Sequence, residues 1–395
     1  MRLMPSQNLS PQASYLWQNA DWPKLLFDIE VLANDLDLAR LQQGRLLGLL
    51  DAIGLSDAQE IARELWVQEA MATAAIEGEK LNLEAVRSSV AHRLGLADAP
   101  NRDRHVDGLV QVMLDAANNY ASVLDSDRLC RWQSALFPGG TSGLLRIAVG
   151  RYRDHSDPMQ IVSGRQGHEV VHYTAPPSDR VADEMALFLA WFEDTRTKIN
   201  AAPTLNGIAR AAIAHLWFEV IHPFEDGNGR LGRAVVDLAL AQDLGAPARM
   251  FGMSRQLLAV RPAYYEALSQ AQSGTLDVTA WVRWFVQTFT QSCVLSQAVV
   301  KQAVDKAKFR FRAASLSVNE RQTKVLSRLL EAGSAEMGGG FLGGMTAEKY
   351  SKITGTSKAT ATRDLAELLS HGLLRVEGLG KATRYAVNVP GWGQT

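Results

Sequence analysis

The chain has 395 residues, of which 47% are hydrophobic and 21% are charged, and its formal net charge is -1. This is the balance of an ordinary globular protein, and the length predicts two or three domains. The near-neutral charge provides no overall field that attracts nucleic acid or an anionic membrane, so any such contact must come from a local patch.

The cysteines and the apolar stretches limit the protein class further. Cys130 and Cys293 have no CxxC spacing, which argues against a disulfide framework or a structural zinc site and predicts a reducing, cytoplasmic location. No apolar stretch is long enough to span a bilayer, and the first residues lack the apolar segment of a signal peptide. We therefore expect no membrane partner.

The N-terminal region, residues 1–100, is predicted to be helical. The run DWPKLLFDIEVLANDLDLARLQQGRLLGLLDAIG has apolar residues at helical spacing and ends at Gly54. The run SDAQEIARELWVQEAMATAAIEG follows and ends at Gly78. Glycine commonly stands just after the last residue of a helix, so both glycines are expected to end helices.

Residues 101–295 are predicted to be mostly helical, with one exception. The segment MQIVSGRQGHEVVHYTAPP has two short runs of strand-forming residues around Gly164 and Gly167, which predicts a β-hairpin. Later, NGIARAAIAHLWFEVIHPF indicates a helix that runs into a loop at Pro223, and GRLGRAVVDLALAQDLG indicates the next helix. Residues 296–314 continue a helical pattern and are assigned to a helical linker.

The C-terminal region, residues 315–395, changes character. One helix is followed by two short helices with Gly355 at the turn between them, and then by a hairpin, which is the order of a winged helix-turn-helix domain. In the last helix Ser357 is the expected N-cap, and Ala359, Leu365 and Leu369 are expected to point inward. Seven lysines and arginines stand against four acidic residues from position 346 onward, so this region is weakly basic. DNA binding, protein docking and a purely structural role therefore all stay open.

The stretch HPFEDGNGRLGR, residues 222–233, combines the groups that hold a polyphosphate. Its glycines let backbone amides approach an anion, and a helix begins within it, so free N–H groups face the same space. Arg230 and Arg233 lie three residues apart on one helix face. Asp226 offers an oxygen ligand suited to Mg²⁺, and His222 titrates near neutrality, as a general base should. The pattern predicts nucleotidyl or phosphoryl transfer.

Three other interpretations of this stretch were weighed. The run from Gly227 to Gly232 matches GxGxxG, but a dinucleotide-binding fingerprint requires a preceding strand, and a helix precedes it here. His215, Glu219 and His222 share one helix face, but they do not form HExxH and no further ligands stand nearby. The third interpretation is an ordinary helix-loop-helix connection, in which glycines make the turn and charges provide solubility.

The stretch also matches every fixed position of HPFxxGNGRxxR, the signature of the Fic family, and the chain is identified as a member of that family on this ground. The resemblance covers roughly residues 105–290. It implies a mainly α fold: a Fic helical core at residues 101–295 with a β-hairpin flap. The N-terminal helical region with an inhibitory helix (1–100), the linker (296–314) and the winged helix-turn-helix domain (315–395) complete the predicted organisation.

The resemblance further implies protein AMPylation, the transfer of AMP from ATP to a Ser, Thr or Tyr hydroxyl of a target protein or of the chain itself. By that resemblance His222 deprotonates the hydroxyl, and Phe224 anchors the loop in the core. Asp226 holds Mg²⁺, and Gly227, Asn228 and Gly229 bind the α- and β-phosphates. Arg230 neutralises phosphate charge and Arg233 binds the γ-phosphate. The residues assigned to the nucleotide are Asp226, Gly227, Asn228, Gly229, Arg230, Leu231, Gly232, Arg233, Tyr265 and Gln272.

Other assignments from the resemblance concern the adenine, the target and inhibition. Tyr264 and Tyr265 resemble the aromatic pair beside adenine, with core packing as the alternative, and Gln272 stands where many relatives have an asparagine. The hairpin residues Val162, Ser163 and Gly164 resemble the flap that aligns an extended target segment. The run TAAIEG resembles the inhibitory motif [ST]xxxE[GN], in which Glu77 pairs with Arg233.

Two other functions stay open at the sequence level. One is a DNA-binding regulator in which the Fic core acts mainly as a nucleotide sensor. The other is a Fic enzyme that removes AMP or moves a different phosphate-containing group. The sequence names neither the target protein nor the oligomeric state, and it leaves a homodimer open.

Overall fold

The computed structural model describes residues 15–51, 55–96, 103–163, 170–197, 205–246, 251–332, 341, 343–378, 383–390 and 392. Within these ranges the helices are α1 (Ile29–Asp51), α2 (Leu55–Ile76), α3 (Leu83–Arg93), α4 (Arg104–Asn118), α5 (Ser126–Leu136), α6 (Val181–Asp194), α7 (Gly207–Ile221), α8 (Asn228–Leu244), α9 (Met253–Ala259), α10 (Arg261–Gln272), α11 (Thr279–Ala314), α12 (Glu320–Glu331), α13 (Ala347–Thr354) and α14 (Lys358–Ser370).

The strands form three antiparallel hairpins in the described part of the chain. They are β1 (Thr141–Ser142) with β2 (Leu145–Arg146), β3 (Gln160–Ser163) with β4 (Val170–Thr174), and β5 (Leu374–Glu377) with β6 (Arg384–Val387). The predominance of helices confirms the mainly α fold class. The first hairpin was not predicted, because strands of two residues leave no periodic signal in the sequence.

The chain divides into two compact units, Met1–Leu46 with Ala62–Ser296 and Leu47–Ile61 with Gln297–Thr395. In the first unit α7 is the central element, since every one of its residues is buried. A helix that is apolar on all sides belongs in a core. Asn206 is the N-cap of α7, and the Asn206 side chain accepts hydrogen bonds from the Ile208 and Ala209 amides. The helix packs against α8.

The hairpin of β3 and β4 lies where the sequence predicted it. Ile161 pairs with Tyr173, and the register shifts between Ile161 and Val162, as in a β-bulge. The Tyr173 side chain is 1% exposed, and its hydroxyl donates a hydrogen bond of 2.7 Å to the Val220 carbonyl of α7. The buried tyrosine therefore fixes β4 to the central helix close to the end that leads into the signature stretch.

The second unit has its own core, formed by residues of α12, α13, α14 and the β5–β6 hairpin. Ser357 caps α14 as predicted, by accepting a hydrogen bond from the Thr360 amide, and Gly355 has a φ of 68°. The expected inward face of α14 was partly wrong. The helix buries Ala361, Leu365 and Leu368, whereas Ala359 and Leu369 are exposed.

The error on α14 has a simple geometric cause. Asp364 lies on the buried face, where the Tyr350 hydroxyl donates to it over 2.8 Å and Arg321 lies 3.0 Å away. Ala361, Leu365 and Leu368 follow one another at spacings of four and three and share one helix face with Asp364, whereas Ala359 stands six residues before Leu365 and so lies on a different face. The winged helix-turn-helix interpretation and the domain boundaries stay predictions. Among the described helices, none has both the length and the apolarity to cross a bilayer.

Candidate functional site

The signature loop, residues 222–233, begins with a strained histidine. Helix α7 ends at Ile221, and the next residue, His222, precedes Pro223, whose ring disfavours the right-handed helical conformation at His222. His222 instead has the left-handed conformation, with φ 49° and ψ 62°. No other non-glycine residue of the described ranges has positive φ. This conformation costs about 1–2 kcal/mol for a residue with a Cβ, and such strain clusters at functional sites.

The turn between His222 and α8 is closed by one side chain. Asn228 accepts a hydrogen bond of 2.9 Å from the Phe224 amide and donates one of 2.7 Å to the Phe224 carbonyl. Gly227 has a φ of 90°, and a Cβ added there would stand 3.0 Å from the Phe137 ring. No side chain caps the N-terminus of α8. Its first backbone N–H groups are therefore available to an anion, as the sequence predicted.

Glu77 pairs with Arg233 in the structure, in the geometry that the resemblance implied. The carboxylate lies 2.8 Å from Nη2 of Arg233, and Thr73 accepts from the same guanidinium through its hydroxyl at 2.7 Å and its carbonyl at 3.0 Å. Burial is the largest single influence and lowers the pKa of Arg233, but the charge and hydrogen bond of Glu77 together with the nearby Tyr264 and Glu219 outweigh it, so the pKa is raised. A Cβ on Gly229 would overlap the Glu77 carboxylate, so this anion lies against the first turn of α8.

Arg230 is held by a second glutamate that the sequence analysis did not identify. Its Nη1 lies 2.8 Å from Glu79, and its guanidinium stands 4.9 Å above the Phe137 ring. The other Glu79 oxygen lies 3.2 Å from Nε2 of His105, and this hydrogen bond raises the pKa of His105. The two arginines of the signature loop are therefore both paired with carboxylates that follow α2 in sequence.

Asp226, the residue predicted to hold Mg²⁺, lies beside the start of α8. Its side chain is 40% exposed and lies 3.7 Å from Arg230 at the start of α8. One carboxylate oxygen accepts a 2.5 Å hydrogen bond from the Gly227 amide, and the other contacts the Ser142 hydroxyl of β1. The described residues contain no cluster of three or more metal-ligating side chains. A single carboxylate beside a phosphate site nevertheless fits Mg²⁺, which is typically bound by one or two carboxylates together with substrate phosphates.

His222 of the loop stands near two buried titratable side chains of α7, Glu219 and His215. Burial lowers the pKa of His222 to about 4 and raises the pKa of Glu219 to about 8. At pH 7 both groups are therefore neutral, and their 3.8 Å separation is not an ion pair. His215 is fully buried with a pKa lowered to about 3 by burial, and its Nε2 lies 2.8 Å from the Tyr264 hydroxyl. This packing supports the rejection of a zinc site at these three residues.

The residues assigned to adenine fall into two environments. Tyr264 is buried, which favours the core-packing alternative for that ring. Tyr265 is 41% exposed, and its hydroxyl donates to the Ile76 carbonyl at the end of α2. Gln272 is 2% exposed and donates to the Glu219 carbonyl over 3.2 Å. Of this group, Tyr265 is the side chain open to a ligand in the structure.

The remaining assigned residues lie on α8 or on the flap. Leu231 is fully buried, so its contribution to a nucleotide site is restricted to its backbone. A Cβ on Gly232 would overlap Glu219, which explains glycine at that position through packing. The backbones of Val162 and Ser163 belong to β3. Gly164 lies outside the described residues.

Sequence reasoning missed several residues that contact the loop, among them Glu79, Phe137, Ser142 and Arg153. The hydrogen bonds of Arg153, Glu79 and Ser142 to the loop join residues that are at least 69 positions apart in the chain. For Glu79, its position two residues after Glu77 was the one sign in the sequence that it also contacts the loop. The others become visible only when the fold is known.

The chain matches two families over separate segments. Residues 15–96 match a domain of unknown function, DUF4172, and residues 123–240 match the Fic/DOC family. Of the solved structures, a crystal structure of a Fic family protein from Desulfovibrio desulfuricans G20 aligns with a TM-score of 0.49 at 22% identity. That alignment covers 91% of this chain and 97% of that one.

Two curated relatives illustrate the range of similar proteins. A uridine 5'-monophosphate transferase of Xanthomonas campestris is 37% identical over 82 residues, which are 21% of this chain and 15% of that protein. The protein adenylyltransferase fic-1 of Caenorhabditis elegans is 25% identical over 227 residues, 57% of this chain and 40% of that protein. The chain thus spans less than half the length of either relative. The signature loop lies within residues 123–240, the segment that matches the Fic/DOC family.

Proposed function

We propose that the chain is an ATP-dependent protein adenylyltransferase held in an inhibited state. The observation that carries this proposal is the N-terminus of α8, where Arg233 binds the Glu77 carboxylate against the first turn of a helix that has no side-chain cap. An anion already occupies the position that suits a terminal phosphate. The Fic/DOC match and the name of the C. elegans relative support AMP as the transferred group.

His222 would act as the general base. Because its pKa is lowered to about 4, the imidazole is neutral at pH 7 and can accept a proton. The target hydroxyl would lose its proton to the imidazole while its oxygen bonds to the α-phosphorus of ATP. The bond from that phosphorus to the α–β bridging oxygen would break, and pyrophosphate would leave with the electron pair.

The start of α8 would hold the triphosphate during this step. The backbone amides of the first turn would bind phosphate oxygens, Arg230 would neutralise their charge, and Arg233 would bind the γ-phosphate. Asp226 would hold Mg²⁺, which supplies neutralisation of phosphate charge. Asn228 would act indirectly, since its side chain is already committed to closing the loop on Phe224.

Glu77 and Glu79 together would form the inhibited state. Glu77 occupies Arg233, and Glu79 occupies Arg230, so neither guanidinium is free for a phosphate. Breaking a largely buried charge pair costs on the order of 3 kcal/mol. Such a cost leaves the competent state populated below about 1%. We therefore expect low basal transfer from the unmodified chain.

The target would enter along the β3–β4 hairpin. An extended segment could add to the free edge of β3 through backbone hydrogen bonds, with the acceptor hydroxyl directed towards His222. Because such pairing reads backbone rather than side chains, the target protein is not defined by these residues. The assignment of the flap to Val162, Ser163 and Gly164 rests on the sequence resemblance.

Labelled ATP tests this function. The Glu77→Gly protein, alone and with a cell extract as a source of acceptors, is incubated with Mg²⁺ and either α-³²P-ATP or γ-³²P-ATP. We expect protein-bound label from the α-phosphate that requires the added protein, and no γ-phosphate label above that of the extract alone. A parallel reaction with α-³²P-UTP tests transfer of UMP, the group named for the X. campestris relative. Label from the γ-phosphate that depends on the added protein, or label from UTP alone, would contradict AMP transfer.

The other functions suggested by the sequence remain predictions. AMP removal would use the same loop. DNA or protein contact by residues 315–395 would involve the exposed start of α14, where Lys358 and Arg363 lie. A homodimer and a cytoplasmic location are likewise predictions.

A further inference from the structure

One buried arginine outside the signature loop contacts the loop at its most strained residue. The Arg153 side chain is fully enclosed, with 2% of the residue exposed. Its Nε donates a 2.8 Å hydrogen bond to the His222 carbonyl, and Nη2 donates one of 3.2 Å to the Ile221 carbonyl. Its backbone amide donates to the Pro223 carbonyl over 2.9 Å. Three consecutive carbonyls around His222 are thus bound by one residue.

The same guanidinium also binds the segment that leaves the flap hairpin. Nη2 donates to the Pro176 carbonyl over 2.6 Å, and Nη1 donates to the Ser178 hydroxyl over 2.9 Å. Pro176 follows β4 by two residues. Arg153 therefore connects the end of α7, the left-handed histidine and the exit of the β3–β4 hairpin through a single planar group.

The arrangement meets a physical need of this loop. The last carbonyls of a helix have no partner within the helix, and here Pro223 prevents the chain from supplying one by continuing it. A buried guanidinium has five donors in fixed directions, so it can satisfy several carbonyls at once and resist their displacement. Lysine has a single ammonium group and cannot reproduce this geometry.

We propose that Arg153 is a positioning residue that holds His222 in its left-handed conformation and aligns it with the flap for the transfer reaction. This proposal rests on the proposed function, in which the imidazole of His222 is the general base. The phosphate site at α8 is built by different contacts, chiefly those of Asn228 and Gly227. Loss of Arg153 is therefore expected to affect the chemical step and to leave nucleotide binding nearly intact.

The charge of Arg153 gives a second readout besides activity. The charged or titratable groups that face His222 are Arg153 from the preceding segment, Asp226 from the loop and Glu219 from α7. Burial is the main cause of the lowered pKa of His222, and the Arg153 charge lowers it further. Removing that charge should raise the pKa of His222, whether or not the protein transfers AMP.

The experiment uses the full chain with Glu77→Gly as parent and compares Arg153→Met with Arg153→Lys. Arg210→Met is the matched control: Arg210 is also buried, at 1% exposure, and donates to Gln242 and Thr195, away from the loop. Thermal melting and circular dichroism establish folding for each variant. The measurements are kcat, the Kd for ATP with Mg²⁺, and the NMR titration of His222.

For Arg153→Met we expect kcat to fall by about a hundredfold with the Kd for ATP changed less than about threefold. The His222 titration midpoint should rise by on the order of one pH unit. Arg153→Lys should retain the low midpoint but lose kcat. Arg210→Met should lower the melting temperature and keep kcat within about threefold of the parent.

The proposal is overturned if folded Arg153→Met keeps the parent's kcat, or loses no more than Arg210→Met, or leaves the His222 titration unmoved. If neither Arg153 variant folds, the residue serves folding alone and the positioning role is wrong. If the parent itself transfers no AMP, the proposed function fails. In that case the His222 titration still decides whether Arg153 controls the imidazole.

Discussion

Glu77→Gly is expected to raise AMP transfer, including self-modification, by at least about tenfold. Glu77 follows the last residue of α2, so the substitution does not place glycine inside a helix. Removing the carboxylate leaves Arg233 with its two hydrogen bonds to Thr73. The guanidinium then becomes available to a γ-phosphate, and the conformational cost of displacing Glu77 disappears. The measurement is incorporation of α-³²P-ATP label with time.

A matched control separates this effect from a general loss of negative charge. Glu84 lies seven residues later on α3, is 78% exposed and pairs only with Arg87 among the ion pairs of the described residues. Glu84→Gln should leave the rate unchanged. The free Arg233 should also lower the melting temperature of Glu77→Gly, and ATP with Mg²⁺ should restore it by mass action. An unchanged transfer rate in Glu77→Gly would show that Glu77 does not inhibit.

The contact between Glu79 and Arg230 predicts an additional, smaller effect. In the Glu77→Gly background, Glu79→Gln should increase kcat/KM for ATP by about three- to fivefold, because Arg230 loses its carboxylate partner. The Glu79 side chain is 31% exposed, so solvent screens this pair and the gain is limited. A loss of activity instead would mean that Glu79 orients Arg230 for catalysis rather than occupying it.

His222→Ala is expected to abolish transfer while ATP still binds. A general base contributes about 10²- to 10⁴-fold to a rate, and no other neutral imidazole stands in the loop. The phosphate contacts belong to α8 and do not require the imidazole. Transfer is measured with α-³²P-ATP, and binding is measured by calorimetry, both in the Glu77→Gly background.

The left-handed conformation of His222 calls for a second variant. Alanine is disfavoured at a φ of 49°, whereas asparagine tolerates this region well. His222→Asn therefore removes the base with less disturbance of the backbone, and it should be as inactive as His222→Ala. If His222→Asn still transfers AMP, another group must accept the proton of the target hydroxyl. Loss of ATP binding in both variants would indicate that the loop, rather than the base, has been damaged.

The sequence predicted the local features of the site and missed those that join distant segments. The glycines, the start of a helix and the spacing of Arg230 and Arg233 are encoded within twelve residues, so their geometry follows from local rules. Arg153 and Phe137 have no such pattern. Their importance comes from tertiary contacts, and neither periodicity nor spacing reports which carbonyl or ring a side chain will meet.

Asn228 and α14 show two other ways in which local reasoning was incomplete. The resemblance assigned Asn228 to phosphate binding, and the structure commits its amide to both backbone groups of Phe224, a role that depends on the exact turn. On α14 the predicted inward set included Ala359 and Leu365, which are six residues apart and do not share a helix face, and the structure buries Ala361, Leu365 and Leu368 instead. Asp364 is also buried on that face, where it accepts a hydrogen bond from Tyr350. Hydrophobic spacing alone cannot anticipate a buried carboxylate that has a specific partner.

The proposed reaction depends most on where the triphosphate lies. The most direct measurement is a crystal structure of the Glu77→Gly protein with Mg²⁺ and a non-hydrolysable ATP analogue. We predict the γ-phosphate within hydrogen-bonding distance of Arg233, the metal ion on Asp226, and the α-phosphorus beside the His222 imidazole. A nucleotide bound away from the start of α8, or an α-phosphorus on the side of α8 opposite His222, would contradict the proposed reaction.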